Sequence, residues 1–133
     1  MEILWYNWRD REHPEAGGAE VFTHEVLERL VERGHDATLF TAGFEGAESE
    51  TTIGGVRVVR SGGRLTVYRH ARRAYRKRFA GAFDVVVDEI NTRPFMTPEF
   101  VEETPVVALI HQLAREFWFY ETPFPVSWLG YYW

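Results

Sequence analysis

Residues 3–42, ILWYNWRDREHPEAGGAEVFTHEVLERLVERGHDATLFTA, read as a strand, a glycine turn, a helix and a second strand. Ile3–Trp8 is an apolar and aromatic run of strand length. Ala19–Arg33 sets Phe22, Val26, Leu27, Leu30 and Val31 on one helical stripe. Arg33 suits the last turn of that helix and Gly34 its stop. His35–Ala42 supplies the second strand.

Outward from this unit the alternation continues. Gly55–Arg60 is a short alternating strand, and Asp84–Glu89 and Pro105–His111 are continuous apolar runs. Such runs are expected where a parallel sheet is buried on both faces. Leu65–Ala80 places Leu65, Tyr68, Ala71, Tyr75 and Phe79 at helical spacing, with arginines opposite. Pro98–Glu103 leaves room for a single helical turn, and Gly43–Gly55 reads as a polar loop that turns at Gly54-Gly55. Five strands alternating with helices predict one α/β domain: a Rossmann-like, right-handed, doubly wound parallel sheet in three α/β/α layers.

Composition agrees. At 133 residues, 45% hydrophobic and 26% charged, the chain can bury a core and remain soluble. It has no cysteine, which excludes disulfides and thiolate metal sites and suits a reducing cytoplasm. Met1-Glu2-Ile3-Leu4-Trp5 lacks the basic lead and apolar run of a signal peptide, and no segment has the length of a spanning helix. The net charge of −5 is unevenly spread: Thr51–Phe83 carries nine of the fifteen Lys and Arg and no acid, a net +9 against −14 for the rest. That asymmetry points to an anionic partner on one face. Nine of the 21 aromatics fall between Phe117 and Trp133, an apolar end expected to be covered by more protein or to support self-association.

Glu15-Ala16-Gly17-Gly18-Ala19-Glu20 lies between the first strand and the first helix. Two glycines there allow close backbone approach, and the helix start presents free N–H groups and a positive dipole end to an anion. A plain tight turn is the competing reading. Neither G-x-G-x-x-G nor G-x-x-x-x-G-K-[ST] occurs, which argues against a dinucleotide oxidoreductase and a P-loop NTPase. His111 ends the fifth strand and Asn91 follows the fourth, at the carboxyl edge where ligands of open α/β sheets gather. His111 as a loop anchor and Asn91 as ordinary turn chemistry are the alternatives. Asp88 and Glu89 are adjacent, so at most one serves a cleft. Glu20, His24 and Glu28 are four apart, a spacing that more often makes a solvated face with weak pairs than a metal site. His13, His35 and His70 carry no signal. Arg69, Arg72, Arg73, Arg76 and Lys77 on the basic helix suit an anionic membrane surface, with a solvated face as the alternative. No nucleic-acid motif accompanies them.

The runs WRDREHPEAGGAEVFTHEVLERLVERGHDATLFTA, GVRVVRSGG, FDVVVDEINTRPF and TPVVALIHQL together resemble the N-terminal domain of family 4 glycosyltransferases. The resemblance covers nearly the whole chain. It implies one half of a GT-B fold, in which this lobe binds mainly the acceptor and a second Rossmann-like lobe binds the nucleotide sugar. It further implies transfer with retained anomeric configuration, no metal and no resident cofactor. Gly17 and Gly18, with Glu20 beside them and Asn91 across the edge, become the donor-phosphate or substrate-binding candidates, and His111 the catalytic candidate near the transferred sugar. The family's pair of second-lobe glutamates eight apart has no counterpart here: Glu12/Glu20 and Glu20/Glu28 share the spacing but lie in the wrong half. Residues 1–133 are therefore expected to be an N-terminal domain, ending near its own C-terminal boundary, without the donor domain and inactive alone. The expected partners are a nucleotide sugar, a sugar or lipid-linked acceptor and the donor-binding domain, in the cytoplasm or at the inner membrane face. The alternative is a non-catalytic subunit or peripheral membrane module that docks a separate donor-binding chain. The reading frame after Trp133 distinguishes the two.

Overall fold

The computed structural model describes residues 1–91, 93–111 and 122–132. Its strands are β1 (Glu2–Tyr6), β2 (Asp36–Thr41), β3 (Glu50–Ile53), β4 (Val56–Arg60), β5 (Val85–Ile90) and β6 (Val106–Ile110). The helices are α1 (Gly18–Glu32), α2 (Val67–Ala74) and α3 (Val126–Tyr132), with a π-helical turn Tyr75–Phe79 continuing α2 and a 3₁₀ turn at Thr97–Glu99. The strands form one sheet in the order β3-β4-β2-β1-β5-β6. Every pairing is parallel except β3 with β4.

Period-two alternation distributes the strand residues between two cores. Ile3, Trp5, Leu39, Val58 and Val87 pack with Leu27 of α1. Leu4, Tyr6, Phe40, Val59 and Val86 pack with Val67, Ala71, Tyr75 and Phe79 of α2 and its π-helical turn. The sheet is thus the middle of three layers, as the alternating elements predict. Gly34, at φ 89°, ends α1 with the Gly34 N–H on the Val31 carbonyl and the His35 N–H on the Leu30 carbonyl.

Four details differ from the sequence expectations. The polar loop Gly43–Gly55 contains β3, which closes an antiparallel hairpin with β4. Its Glu-Thr-Thr-Ile lacks an apolar run because an edge strand needs only one buried side chain, here Ile53. β6 is the opposite edge, so Val107 and Ile110 are about half exposed rather than buried on both faces. Leu65 precedes α2 and is exposed, while Val67 takes its place on the buried stripe. Phe22 is likewise exposed, and Glu20, Thr23 and His24 are the buried residues of the first turns of α1. Among the described residues no helix is long and apolar enough to cross a membrane. Of the aromatic C-terminal segment, Phe117–Tyr120 and Trp133 lie outside the described residues.

The β3–β4 turn is built by Gly54 and Gly55, both at positive φ. A Cβ on Gly55 would lie 2.8 Å from Val31 of α1, whereas one on Gly46, at a similar φ, would meet nothing within 4 Å. Gly55→Ala is therefore expected to destabilise by about 2–3 kcal/mol and Gly46→Ala by about 1 kcal/mol. Urea unfolding midpoints of the two variants check this; equal losses would mean that the hairpin does not press on α1.

Candidate functional site

The chain runs from β1 through α1 to β2, onward to β4, and then returns to place β5 on the other side of β1. The order reverses between β1 and β5, a switch point at whose carboxyl edge open α/β sheets form a ligand crevice. The first wall is the loop 7–17. Its anchor is Asp10, fully buried, which accepts from Arg60 Nε at 2.7 Å and Nη2 at 3.1 Å. Arg60, at the end of β4, also reaches Glu12 at 2.7 Å and donates to the Glu48 carbonyl. This bidentate pair clamps the loop onto the sheet. No local pattern announces it, since the partners are fifty residues apart.

The loop delivers Gly17 as the N-cap of α1 in an extended conformation. The Gly17 N–H donates to Glu20 Oε2 at 2.6 Å, half of a capping box. Glu20 is 1% exposed, and its other oxygen lies 3.4 Å from Arg9 Nε, close enough for an ion pair but not aligned for a hydrogen bond. The expectation that Gly17 and Glu20 both face a ligand therefore changes: they satisfy each other. Gly18 remains, its backbone open to space on the side a Cβ would occupy. His24, one turn further, is buried with both ring nitrogens unpartnered. Burial, with Arg11 nearby, lowers its pKa. The face Glu20–His24–Glu28 is thus mostly interior rather than solvated, and the described residues contain no group of three or more potential metal ligands.

The second wall comes from β5 and β6. Asp88 and Glu89 diverge, as adjacent strand residues must. Asp88 faces the α2 layer and accepts from the Phe95 and Thr97 N–H groups and the Thr97 hydroxyl, fixing the left-handed turn at Met96. Glu89 faces α1 with its side chain wholly buried. Three elements bring it donors: Trp5 Nε1 from β1, the Thr23 hydroxyl from α1 at 2.6 Å, and His111 Nε2 from the end of β6 at 2.6 Å. Burial nevertheless pushes the Glu89 carboxyl above the usual range, with those hydrogen bonds opposing. His111 stands at the rim with 24% of its side chain exposed, edge-on to Phe22 at 5.4 Å. Phe22 lies four residues from Gly18, on the same helix face. Gly18 and His111 are therefore both neighbours of Phe22, at the carboxyl edge of the sheet. Asn91 donates to Asn7 at 3.0 Å, and Asn7 reaches Thr23 at 3.4 Å, so Asn91 ties the ends of β5 and β1 together beside it.

The basic helix does not present one cationic face. Arg72 reaches Glu99 at 3.3 Å, and Arg76 borders a hollow shared with Glu102 and Glu103. Arg73 and Lys77 lie on the opposite flank, toward the β3–β4 hairpin, and Arg69 is exposed. Sequence reasoning missed Asp10, Arg60, Thr23 and the role of Glu89. For Glu89 a signal existed: an acidic residue ending an otherwise apolar strand run.

A sequence model of the family described as Glycosyltransferase Family 4 matches residues 16–133. No curated protein and no solved structure shows significant similarity to the chain.

Two outcomes test this geometry. Arg60→Met leaves Asp10 buried without a counter-charge and is expected to cost about 3–5 kcal/mol in urea unfolding; a loss below 1 kcal/mol would show that the clamp does not hold the loop. Glu89 has a raised pKa in the folded state, so its contribution to stability is greatest at acid pH and is lost as pH rises from about 4.5 through the raised value. The Glu89→Gln variant should lack this decline relative to the native chain between pH 4 and 7. In ¹⁵N spectra the neutral His111 ring should carry its proton on Nε2, a preference that the substitution removes. An unchanged tautomer would separate His111 from Glu89.

Proposed function

The chain belongs to glycosyltransferase family 4, and we propose that it forms the acceptor-side lobe of an enzyme that moves a sugar from a nucleotide sugar to an acceptor. One arrangement supports the reading: Gly18 at the start of α1 and His111 at the end of β6 both neighbour Phe22 at the carboxyl edge of the sheet. A ligand would meet the first N–H groups of α1, where the helix dipole favours negative charge, as the diphosphate of a donor carries. Absence of a Cβ at Gly18 lets those oxygens approach the backbone. Glu20 is neutralised inward by the Gly17 N–H and Arg9, so its charge does not repel them.

His111, held through Nε2 by Glu89, would offer Nδ1 and its backbone to the transferred sugar. Asn91 lines the same edge. Among the described residues there is no second clamp for the nucleotide, so the donor would be held across the crevice by another Rossmann-like lobe, on the same polypeptide or on a separate one. Transfer with retention and without a metal is part of the proposal and rests on family membership.

The chain alone is expected to leave UDP- and GDP-sugars untouched and to act only when paired with a donor-binding lobe. In the paired state, Gly18→Val and His111→Ala should each lower kcat/KM by about 100-fold, the scale of losing a positioned electrostatic contact to the transition state. Turnover by the chain alone, or a paired enzyme indifferent to both changes, refutes the assignment.

A further inference from the structure

A second cavity lies away from the crevice, between α2 with its π-helical turn and the β3–β4 hairpin. Its volume is about 430 Å³, within the range of small-ligand clefts. Val67, Ala71, Tyr75 and Phe79 form the buried stripe of the helix, so His70, Arg73 and Lys77 fall on the flank that faces this hollow. Cations around it divide into two kinds. Arg60 is satisfied by Asp10 and Glu12, and Arg57 and Arg78 share Glu50. Arg73 and Lys77 have no acidic partner among the described residues. They are four apart on the helix, where like charges repel. Ser61, on the other wall, has its Oγ 2.8 Å from His70 Nδ1, adding polar groups. The helix widens here: the Ala80 N–H bonds the Tyr75 carbonyl, a π-turn of the kind found often at functional sites.

We propose that this cleft binds a phosphate monoester, whose two negative charges match the two uncompensated cations Arg73 and Lys77. A phosphate ester is close to a dianion at neutral pH and accepts several charge-assisted hydrogen bonds. The ester is either a soluble metabolite or the headgroup of a phospholipid; both present the same group. The site is separate from the crevice and does not depend on the sugar-transfer reading.

The test has two arms, at constant ionic strength. In the first, ¹H–¹⁵N spectra of the chain are followed while glycerol 3-phosphate is added. Saturable shifts are expected at the amides of Ser61, His70 and Ala74. Arg73→Gln and Lys77→Gln should each weaken binding by about tenfold, the effect of one charge-assisted contact. Arg69→Gln and Arg76→Gln, outside the cleft, should leave it unchanged. In the second arm the chain is sedimented with phosphatidylcholine vesicles with and without phosphatidic acid. Co-sedimentation that requires phosphatidic acid and is lost in Arg73→Gln and Lys77→Gln assigns the lipid headgroup, and saturable shifts without it assign a soluble ester. Overturning results are binding in neither arm, or losses as large in Arg69→Gln and Arg76→Gln as in the cleft variants.

Discussion

Removing the Glu89 carboxylate from water is the constraint around which the crevice is organised. A buried carboxylate without donors would cost several kcal/mol, so its neighbours must supply them. They come from three separate elements: Trp5 on β1, Thr23 on α1 and His111 after β6. Each donor is thereby fixed relative to the others. The start of α1 is set against the sheet, and the rim histidine is set against the start of α1. Asp88, one residue earlier, performs the corresponding task on the other face, where its oxygens take up the turn at Phe95–Thr97. Adjacent acids on one strand thus build opposite sides of the same edge.

The Asp10–Arg60 pair extends this order outward. It links the loop after β1 to the far strand β4, so the path into Gly17 is held from the sheet as well as from the helix. Much of the positive charge concentrated between Thr51 and Phe83 is consumed in such links. Arg57, Arg60, Arg72 and Arg78 each meet an acid from elsewhere in the chain. A segment that looks uniformly cationic in sequence is, once folded, divided between these four paired arginines and the five other cations.

Legibility in the sequence followed periodicity. β1, β2, β4 and β5, both long helices and the stop at Gly34 are signalled by runs, stripes and a glycine, which act over a few residues. β3 escaped because Glu50–Ile53 has no apolar run; it exists through pairing with β4, a tertiary effect. The π-helical turn escaped because no local residue marks it. The stripe of α1 was misplaced at its start because Glu20, Thr23 and His24 are polar yet buried; the Gly17 N–H donates to Glu20, and Glu89 accepts from Thr23. The edge positions of Gly18, Asn91 and His111 were legible from the strand ends and the start of α1. Their supports, Glu89, Thr23 and the Asp10–Arg60 clamp, depend on contacts between residues far apart in the chain, which spacing does not encode.

Gly18 sharpens the distinction between internal and external causes. Gly17 and Gly18 both have negative or extended backbone angles, so neither needs glycine for its conformation. A Cβ on Gly17 would make an ordinary contact at 3.6 Å, and one on Gly18 would touch nothing. Glycine raises the entropic cost of folding relative to alanine, so its presence at both positions is unfavourable within the lobe itself. The turn at Gly54-Gly55 is the contrasting case, where φ and the crowding by α1 demand glycine from inside. Neither backbone angle nor internal crowding therefore accounts for glycine at Gly18. Under the proposed function, a phosphate-bearing donor at the start of α1, where the helix dipole favours negative charge, would account for it.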